Sequence, residues 1–283
     1  MEVVSDLDAW RRAAAAARQK GRTVGLVPTM GALHAGHDSL VRAAQDRDDY
    51  VIVTIFVNPR QFNDPADLRA YPRTPEADRA RAAALGVDLL VEPTLEQMWP
   101  AYPAPVATTV HVGGMTEHLE GADRPGHFDG VASVVAKLFA LTGPARAYFG
   151  EKDFQQLALV RQMVDDLGFA IEVTACPIVR EEDGLALSSR NVRLSVAGRQ
   201  RALGLVRAVT AAAAQPAAAS VLRQRMRAVL EAAGVEVAYA EVVDPVTLRP
   251  SRDAESGRRR ALVAGRVDGV RLIDNADVEL KGE

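Results

Sequence analysis

Cysteine and long apolar runs are scarce in this sequence of 283 residues. The one cysteine, Cys176, cannot form an intrachain disulfide or supply a structural zinc site, so a reducing, cytoplasmic environment is expected. The most apolar strand-like run, residues 51–57, is far shorter than the ~20 residues of a membrane-spanning helix. The first residues also lack the apolar stretch of a secretory signal. We therefore expect no membrane association.

A basic excess is missing as well, because 34 Lys and Arg residues are balanced by 37 Asp and Glu residues, for a net charge of −3. General nucleic-acid binders carry a marked positive excess, so nucleic acid is not an expected partner. Hydrophobic residues make up 48% and charged residues 25%, the composition of a folded globular protein. The lysines are only Lys20, Lys137, Lys152 and Lys281, since most positive charge is arginine.

Strand-like and helix-like segments alternate through the first part of the chain. Strands are predicted at 22–27, 50–57, 87–91, 146–149 and 170–175, with a short one at 108–112, and helices at 36–46, 75–85, 128–142 and 154–167. Strands that alternate with helices of ten to fifteen residues are typical of βαβ units. The sequence predicts an α/β fold with a Rossmann-like parallel sheet and helices on both faces.

The composition changes near Val179. Two Ala- and Arg-rich helices are predicted at 195–214 and 218–233, followed by strand-like segments at 235–243, 260–265 and 269–274. We therefore predict a Rossmann-like catalytic domain over residues 1–178 and a smaller C-terminal α+β domain over residues 179–283, which would form a lid.

The most informative segment is residues 27–37, Val-Pro-Thr-Met-Gly-Ala-Leu-His-Ala-Gly-His, between the first predicted strand and the first predicted helix. Gly31 and Gly36 allow a ligand to approach the backbone, and His34 and His37 point to one side once the helix begins. A helix N-terminus presents free N–H groups and a positive dipole, which favours a phosphate site. No Walker loop is present, and a zinc site would need a further ligand that is not evident. His-x-Gly-His resembles the HIGH-type motif of nucleotidyltransferases and class I aminoacyl-tRNA synthetases.

Polar residues also follow two other predicted strands, and a further group of polar residues precedes the helix predicted at 128–142. These residues are Asn58 and Gln61, then Lys152, Asp153 and Gln156, and then Glu120, Arg124 and His127. Downstream, Ser188, Ser189 and Arg190 form a loop whose side chains can donate hydrogen bonds to phosphate oxygens. Because the carboxyl ends of parallel strands meet at one edge, these groups suit a small hydroxylated carboxylate beside a nucleotide.

The strings PTMGALHxGH, FVNPxQF, AYPRT, LEGxxRPGHF, FGEKDxQQL and DGLALSSRN together resemble the pantoate–β-alanine ligase family over nearly the whole chain. The resemblance implies condensation of (R)-pantoate with β-alanine to pantothenate, with ATP and Mg²⁺, through a pantoyl-adenylate intermediate and with release of AMP and pyrophosphate. It also implies a Rossmann-type domain, a smaller C-terminal domain and a homodimer.

The same resemblance implies roles for individual residues. ATP would contact Met30, Gly31, Ala32, Leu33, His34, Ala35, Gly36, His37, Gly150, Glu151, Lys152, Asp153, Val179, Leu187, Ser188, Ser189 and Arg190. The catalytic residues would be His37, as proton donor, with His34 and Lys152. Substrate would be bound by Gln61, Gln156, Asn58, Tyr71 and Arg124, and a metal by Asp78, although an acidic residue in a first helical turn is usually placed there by the helix dipole.

Three residues depart from the family pattern: Asp38, Arg60 and Arg193. Two other functions remain open, a simple adenylyltransferase that leaves the adenylate on its product and a nucleotide-binding protein without catalysis. An adenylyltransferase has no need for a second nucleophile site such as Asn58 and Gln61 with Arg124, which favours the ligase.

Overall fold

The computed structural model describes residues 1–282, and within them the chain forms two β-sheets with helices packed against them. The first sheet contains β1 (Glu2–Val4), β2 (Val24–Thr29), β3 (Tyr50–Ile55), β4 (Leu89–Val91), β5 (Ala145–Gly150) and β6 (Ile171–Cys176). All neighbouring strands run parallel, in the order β1-β4-β3-β2-β5-β6. The predicted α/β architecture with a parallel sheet is confirmed.

Helices cover both faces of this sheet. They are α1 (Leu7–Gln19), α2 (Ala35–Gln45), α3 (Pro65–Ala70), α4 (Pro75–Ala84), α5 (Leu95–Met98), α6 (Glu120–Asp123), α7 (His127–Thr142) and α8 (Phe154–Leu167). Successive β2 side chains enter different cores: Leu26 lies in one with Trp10 of α1, and Val27 in another with Val41 of α2. A strand buried on both faces reads as a continuous apolar run, which explains why β2 is visible in the sequence.

The strand order places a crevice at one edge of the sheet. From β2 the chain proceeds outward through β3 to β4 on one side, whereas β5 and β6 lie on the other side of β2. In open α/β sheets, ligands bind outside the carboxyl ends of the strands at such a reversal. The segments that follow β2 and β5 therefore meet at the expected ligand site.

The second sheet is antiparallel and belongs to the C-terminal part of the chain. It contains β7 (Glu236–Val243), β8 (Gly257–Val267) and β9 (Val270–Leu280), and α9 (Val196–Ala213) and α10 (Ala219–Ala232) pack on it. Its core contains Leu205, Leu222, Met226 and Val263. This smaller α+β unit agrees with the fold predicted, and the division between residues 178 and 179 remains a prediction.

Four details of the predicted secondary structure are wrong. The strand at 22–27 is not the first, because the short edge strand β1 and the Ala-rich helix α1 precede it. Residues 108–112 form no strand; instead the Val110 N–H donates to Ser133 Oγ and Val112 is buried in the core. The strands β8 and β9 extend beyond their predicted limits, since ion pairs such as Arg258–Asp277 join their charged ends.

Of the helices within residues 1–282, none is long and apolar enough to cross a membrane.

Candidate active site

Two adjoining cavities, of about 240 and 300 Å³, open at the carboxyl edge of the parallel sheet. Lys152, Gln156, Arg124 and Arg190 line both of them. The wall of the smaller cavity contains many of the predicted site residues: Met30, His34, Gly36, His37, Gln61, Tyr71, Arg124, Gly150, Lys152, Asp153, Gln156, Val179, Leu187, Ser188, Ser189 and Arg190. Residues from five distant parts of the sequence thus share one wall.

Seven predicted site residues lie outside both cavity walls. They are Gly31, Ala32, Leu33, Ala35, Asn58, Asp78 and Glu151. For Asn58, Asp78 and Glu151 the hydrogen bonds described below explain the position, because each side chain is used to hold another part of the site.

The two imidazoles cap the helix α2 reciprocally. The Gly36 N–H donates to His34 Nδ1 at 3.1 Å, and the His34 N–H donates to His37 Nδ1 at 3.2 Å. Because each Nδ1 accepts a hydrogen bond, the proton of each neutral ring resides on Nε2, which becomes a donor. The ring centroids lie 4.1 Å apart. The hydrogen bonds within the motif therefore fix both neutral rings in the Nε2–H tautomer.

Both imidazoles are uncharged at neutral pH in this structure. Burial and, to a smaller extent, the neighbouring His34 ring lower the pKa of His37 to about 3. Burial and the charge of Lys152 also lower the pKa of His34. The pair consequently acts as two neutral hydrogen-bond donors beside one cation, Lys152.

The backbone of the histidine segment, residues 27–37, is held by Asp78. The Ala32 N–H donates to its Oδ2 at 2.9 Å and the Leu33 N–H to its Oδ1 at 2.8 Å. The Gly31 N–H donates to Thr29 Oγ1. Gly31 and Ala32 have φ values of 77° and 49°, so the turn is tight. The Gly31, Ala32 and Leu33 N–H groups, which precede α2, thus have protein acceptors, whereas an anion site at the N-terminus of α2 itself stays a prediction.

A metal at Asp78 is disfavoured by the same contacts. The carboxylate is 3% exposed and accepts a third hydrogen bond from Thr74 Oγ1. Within residues 1–282, no group of three or more His, Cys, Asp and Glu side chains could hold a metal ion. The residues present do not fit a dedicated cation site.

Gln61 and Gln156 present amides to the smaller cavity. Asn58, in contrast, is 1% exposed and does not line this cavity, so its predicted contact with substrate stays a prediction. Its Nδ2 donates to Gln61 Oε1 at 3.1 Å and to the Gly130 carbonyl at 3.0 Å, while its Oδ1 accepts from Trp99 Nε1. The role visible in the structure is to hold Gln61.

Arg124 and His127 support the same turn. His127 Nδ1 donates to the Gln61 carbonyl at 2.7 Å, and its Nε2 lies 3.0 Å from Arg124 Nη1, which donates to it. Burial and then the charge of Arg124 lower the pKa of His127 to about 4, so the ring is neutral. Burial also lowers the pKa of Arg124. A desolvated guanidinium on the cavity wall is suited to a carboxylate.

Lys152 occupies a turn (Glu151–Asp153) that directly follows β5. Asn275 of β9 donates through its Nδ2 to the carbonyls of Glu151 and Lys152. The Glu151 carboxylate pairs with Arg260 of β8 at 3.0 Å, away from both cavities. The position of Lys152 thus depends on the C-terminal sheet, through Asn275 of β9.

The loop of residues 187–190, called the closing loop below, also lines the smaller cavity. The Leu187 N–H donates to the Val179 carbonyl, and Arg190 lies over the ring of Tyr71 with its guanidinium carbon 5.7 Å from the centroid. Arg190 Nη2 pairs with Asp67 Oδ2 at 2.9 Å. Sequence reasoning missed Asp67, which lies in the short helix α3, where the only signals were Asp64 as N-cap and Pro65.

Each of the three residues that depart from the family pattern has a partner. Asp38 accepts two hydrogen bonds from Arg81, at 2.7 and 2.8 Å, which lower the pKa of the carboxyl. Arg60 stacks on Trp99, and Arg193 pairs with Asp67 at 3.0 Å. The departures therefore change local packing around the site, and Asp38 and Arg81 have opposing effects on the pKa values of His34 and His37.

Comparison with known proteins points to one family. A family profile described as pantoate-beta-alanine ligase matches residues 2–277. The chain is 55% identical over 262 residues to a pantothenate synthetase of Cereibacter sphaeroides, covering 91% of this chain and 92% of that protein. It is 53% identical over 269 residues to one of Paracoccus denitrificans, covering 93% of each.

Solved structures agree. A pantothenate synthetase of Thermus thermophilus superposes with a TM-score of 0.89 at 47% identity, over 98% of this chain and 99% of that one. A pantoate-beta-alanine ligase of Francisella tularensis, complexed with beta-gamma ATP and beta-alanine, superposes with a TM-score of 0.81 at 32% identity, over 98% and 97%. The relatives are matched over almost their whole length.

Proposed function

Because the chain belongs to the pantoate–β-alanine ligase family, we propose that the smaller cavity is where it carries out this family's reaction. The enzyme condenses pantoate with β-alanine at the expense of ATP and forms pantothenate. The observation that carries the assignment to this cavity is the shared wall of His34, His37, Lys152, Gln61 and Gln156 at the strand reversal. Phosphate-binding and carboxylate-binding groups face one another there.

In the first half-reaction, a pantoate carboxylate oxygen attacks the α-phosphorus of ATP, and the bond from this phosphorus to pyrophosphate breaks. Negative charge then increases on the phosphate oxygens. Lys152 supplies the positive charge, and the Nε2–H groups of His34 and His37 donate hydrogen bonds to these oxygens. Donors that are already oriented need no reorganisation as the charge develops. Because its ring is neutral, His37 acts in this step by donating a hydrogen bond from Nε2–H to the departing pyrophosphate, which is the form that its predicted proton-donor role takes.

In the second half-reaction, the amine nitrogen of β-alanine attacks the acyl carbon of pantoyl adenylate, AMP leaves, and the nitrogen loses a proton. Gln61 and Gln156 hold pantoate, while Arg124 and Tyr71 form the wall nearest β-alanine. Arg124 would pair with a carboxylate of the substrates. Because water would hydrolyse the mixed anhydride, the closing loop excludes it, with Ser188, Ser189 and Arg190 placed over the phosphates and Val179 beside the adenine.

Mg²⁺ is expected with ATP, but the residues that the structure describes, 1–282, offer no dedicated cation site, so no step is assigned to the ion. A magnesium ion usually keeps several water ligands and binds mainly through substrate phosphates, which is compatible with a cavity that lacks a carboxylate cluster. We also retain three expectations as proposals: a homodimer, a cytoplasmic location, and a C-terminal domain from residue 179 that acts as a lid.

The proposal is tested by product analysis combined with isotope exchange. With ATP, pantoate and β-alanine, the products should be AMP, pyrophosphate and pantothenate. With pantoate alone, the enzyme should exchange labelled pyrophosphate into ATP, because the phosphate-side groups are complete without an amine. Exchange that requires β-alanine would favour a concerted route, and ADP in place of AMP would exclude the adenylate.

A further inference from the structure

Trp99 is buried behind the wall that carries Gln61. It is 6% exposed, lies outside both cavities, and donates its indole Nε1–H to Asn58 Oδ1 at 3.0 Å. Asn58 in turn donates to Gln61 Oε1. Two hydrogen bonds therefore connect an indole outside the cavity to an amide on its wall.

The direction of these hydrogen bonds is set by the contacts of Asn58. The Trp99 N–H, at 3.0 Å, is the shorter of two donors to Asn58 Oδ1, and the other is the Arg60 N–H at 3.3 Å. An indole N–H can only donate, so the atom of Asn58 that faces it must be the oxygen. The Gly130 carbonyl can only accept, so it faces Nδ2, at 3.0 Å. The second N–H of this amide then requires an oxygen on Gln61, which leaves the Gln61 nitrogen beside Met30 Sδ on the cavity side. A thioether is a weak acceptor, so the Gln61 N–H groups remain available to a better one.

Two cationic side chains pack against the Trp99 ring, and α7 packs closely against the turn that contains Gln61. The guanidinium carbon of Arg60 lies 5.5 Å from the Trp99 ring centroid and Lys137 Nζ lies 5.1 Å from it. A side chain at Gly130 would collide with the Arg60 carbonyl, so only glycine lets α7 approach the turn that contains Gln61. Trp99, Asn58 and Gln61 are therefore all buried, and of the three only Gln61 lines the smaller cavity.

We propose that Trp99 is a positioning residue for pantoate, because its N–H is the shortest contact of Asn58 Oδ1 and acts with the Arg60 N–H and the Gly130 carbonyl to orient the Asn58 amide, which makes Gln61 present N–H donors to the substrate. This inference rests on the proposed function, in which Gln61 holds pantoate. Pantoate carries carboxylate and hydroxyl oxygens, and an amide nitrogen facing the cavity is complementary to either. An inverted Gln61 amide would place its own oxygen against the carboxylate.

The second tryptophan provides a matched control. Trp10 is fully buried, and among residues 1–282 its Nε1 has no hydrogen-bond acceptor. Replacement of either tryptophan by phenylalanine removes an indole of the same size, but only Trp99→Phe removes a hydrogen bond. Trp99→Phe also alters the contacts of the ring with Arg60 and Lys137, so the double-mutant cycle below is needed to assign the effect to the Asn58 contact.

The experiment measures steady-state constants and thermal midpoints for the wild type, Trp99→Phe and Trp10→Phe. Loss of one hydrogen bond predicts that Trp99→Phe raises KM for pantoate about fivefold, with KM for ATP unchanged. Trp10→Phe should lower the thermal midpoint and leave both KM values within about twofold. Equal changes in the two variants, or a rise confined to KM for ATP, would overturn the proposal.

A double-mutant cycle tests the route through Gln61. In a Gln61→Ala background, Trp99→Phe should change KM for pantoate no further, because the amide that it orients is missing. An undiminished fivefold effect in that background would contradict the proposal. Failure of the proposed function has a separate signature, since the wild type itself would then make no pantothenate.

Discussion

The two segments that border the smaller cavity, the histidine segment and the closing loop, are held by different kinds of interaction. In the histidine segment, Asp78 accepts two backbone N–H groups and the two imidazoles cap each other. The polar groups of this segment therefore already have partners within the protein. In the closing loop, Arg190 shares the carboxylate of Asp67 with Arg193. One side is fixed before any ligand arrives, and the other must exchange an ion-pair partner.

This difference predicts how each side contributes. Groups that are already oriented stabilise charge in the transition state without reorganisation, so substitutions in the histidine segment should lower the rate. An arginine that is paired with a protein carboxylate must leave it to meet a phosphate, so changes around Arg190 should alter apparent affinity. The four predictions below test this contrast.

The largest effect is expected for His37→Ala. Loss of the Nε2–H donor should slow adenylate formation about 10²–10³-fold, the usual cost of removing one oriented donor to developing charge. Preformed pantoyl adenylate should restore much of the activity, because the phosphate step is then bypassed. His111→Ala, at a half-exposed histidine paired with Asp129, is the control and should retain the wild-type rate. Equal slowness from the preformed intermediate would contradict the role of His37 in phosphate chemistry.

Asp78→Asn should lower the rate of adenylate formation about tenfold, since an amide offers one acceptor oxygen where two backbone N–H groups need acceptors. The Mg²⁺ concentration for half-maximal activity should be unchanged. Glu76→Gln, exposed in the first turn of the same helix, should have no effect. A large increase in the required Mg²⁺ would instead make Asp78 a metal ligand.

The neutral state of His127 predicts a loss of stability in mild acid. Its pKa is about 4 in the folded protein and about 6.5 in the unfolded chain, so the unfolded state binds more protons below pH 6.5. The free energy of unfolding should fall by about 1 kcal/mol from this residue between pH 7.5 and pH 5.5. Urea unfolding of His127→Asn should show a smaller decrease over that range than the wild type; an identical decrease would exclude the residue as its source.

The smallest effect is expected around Asp67. Asp67→Asn removes the carboxylate that competes with phosphate for Arg190, so KM for ATP should fall about twofold to threefold. Arg193→Gln leaves that carboxylate to Arg190 alone, and KM for ATP should rise by a similar factor. The opposite signs are the test: changes in the same direction would mean that Asp67 does not compete for Arg190.

The sequence by itself determined the parallel sheet and the principal polar groups of the cavity wall. Strands buried on both faces are continuous apolar runs, and a residue just after a parallel strand must lie at the carboxyl edge of the sheet. His34, Gln61 and Lys152 all occupy such positions, so they were found without knowledge of any contact.

The tertiary structure decided which polar groups face the cavity and which hold them there. Asn58 and Asp78 have the residue types of binding groups, but their partners, Trp99 at a separation of 41 residues and Ala32 at 46, turn them into supports. Asp67 contacts Arg190 and Asn275 contacts Lys152, in each case across a sequence separation of 123 residues. Such contacts have no periodicity along the chain. Burial, which only the folded structure supplies, also makes the imidazoles of His34 and His37 neutral donors.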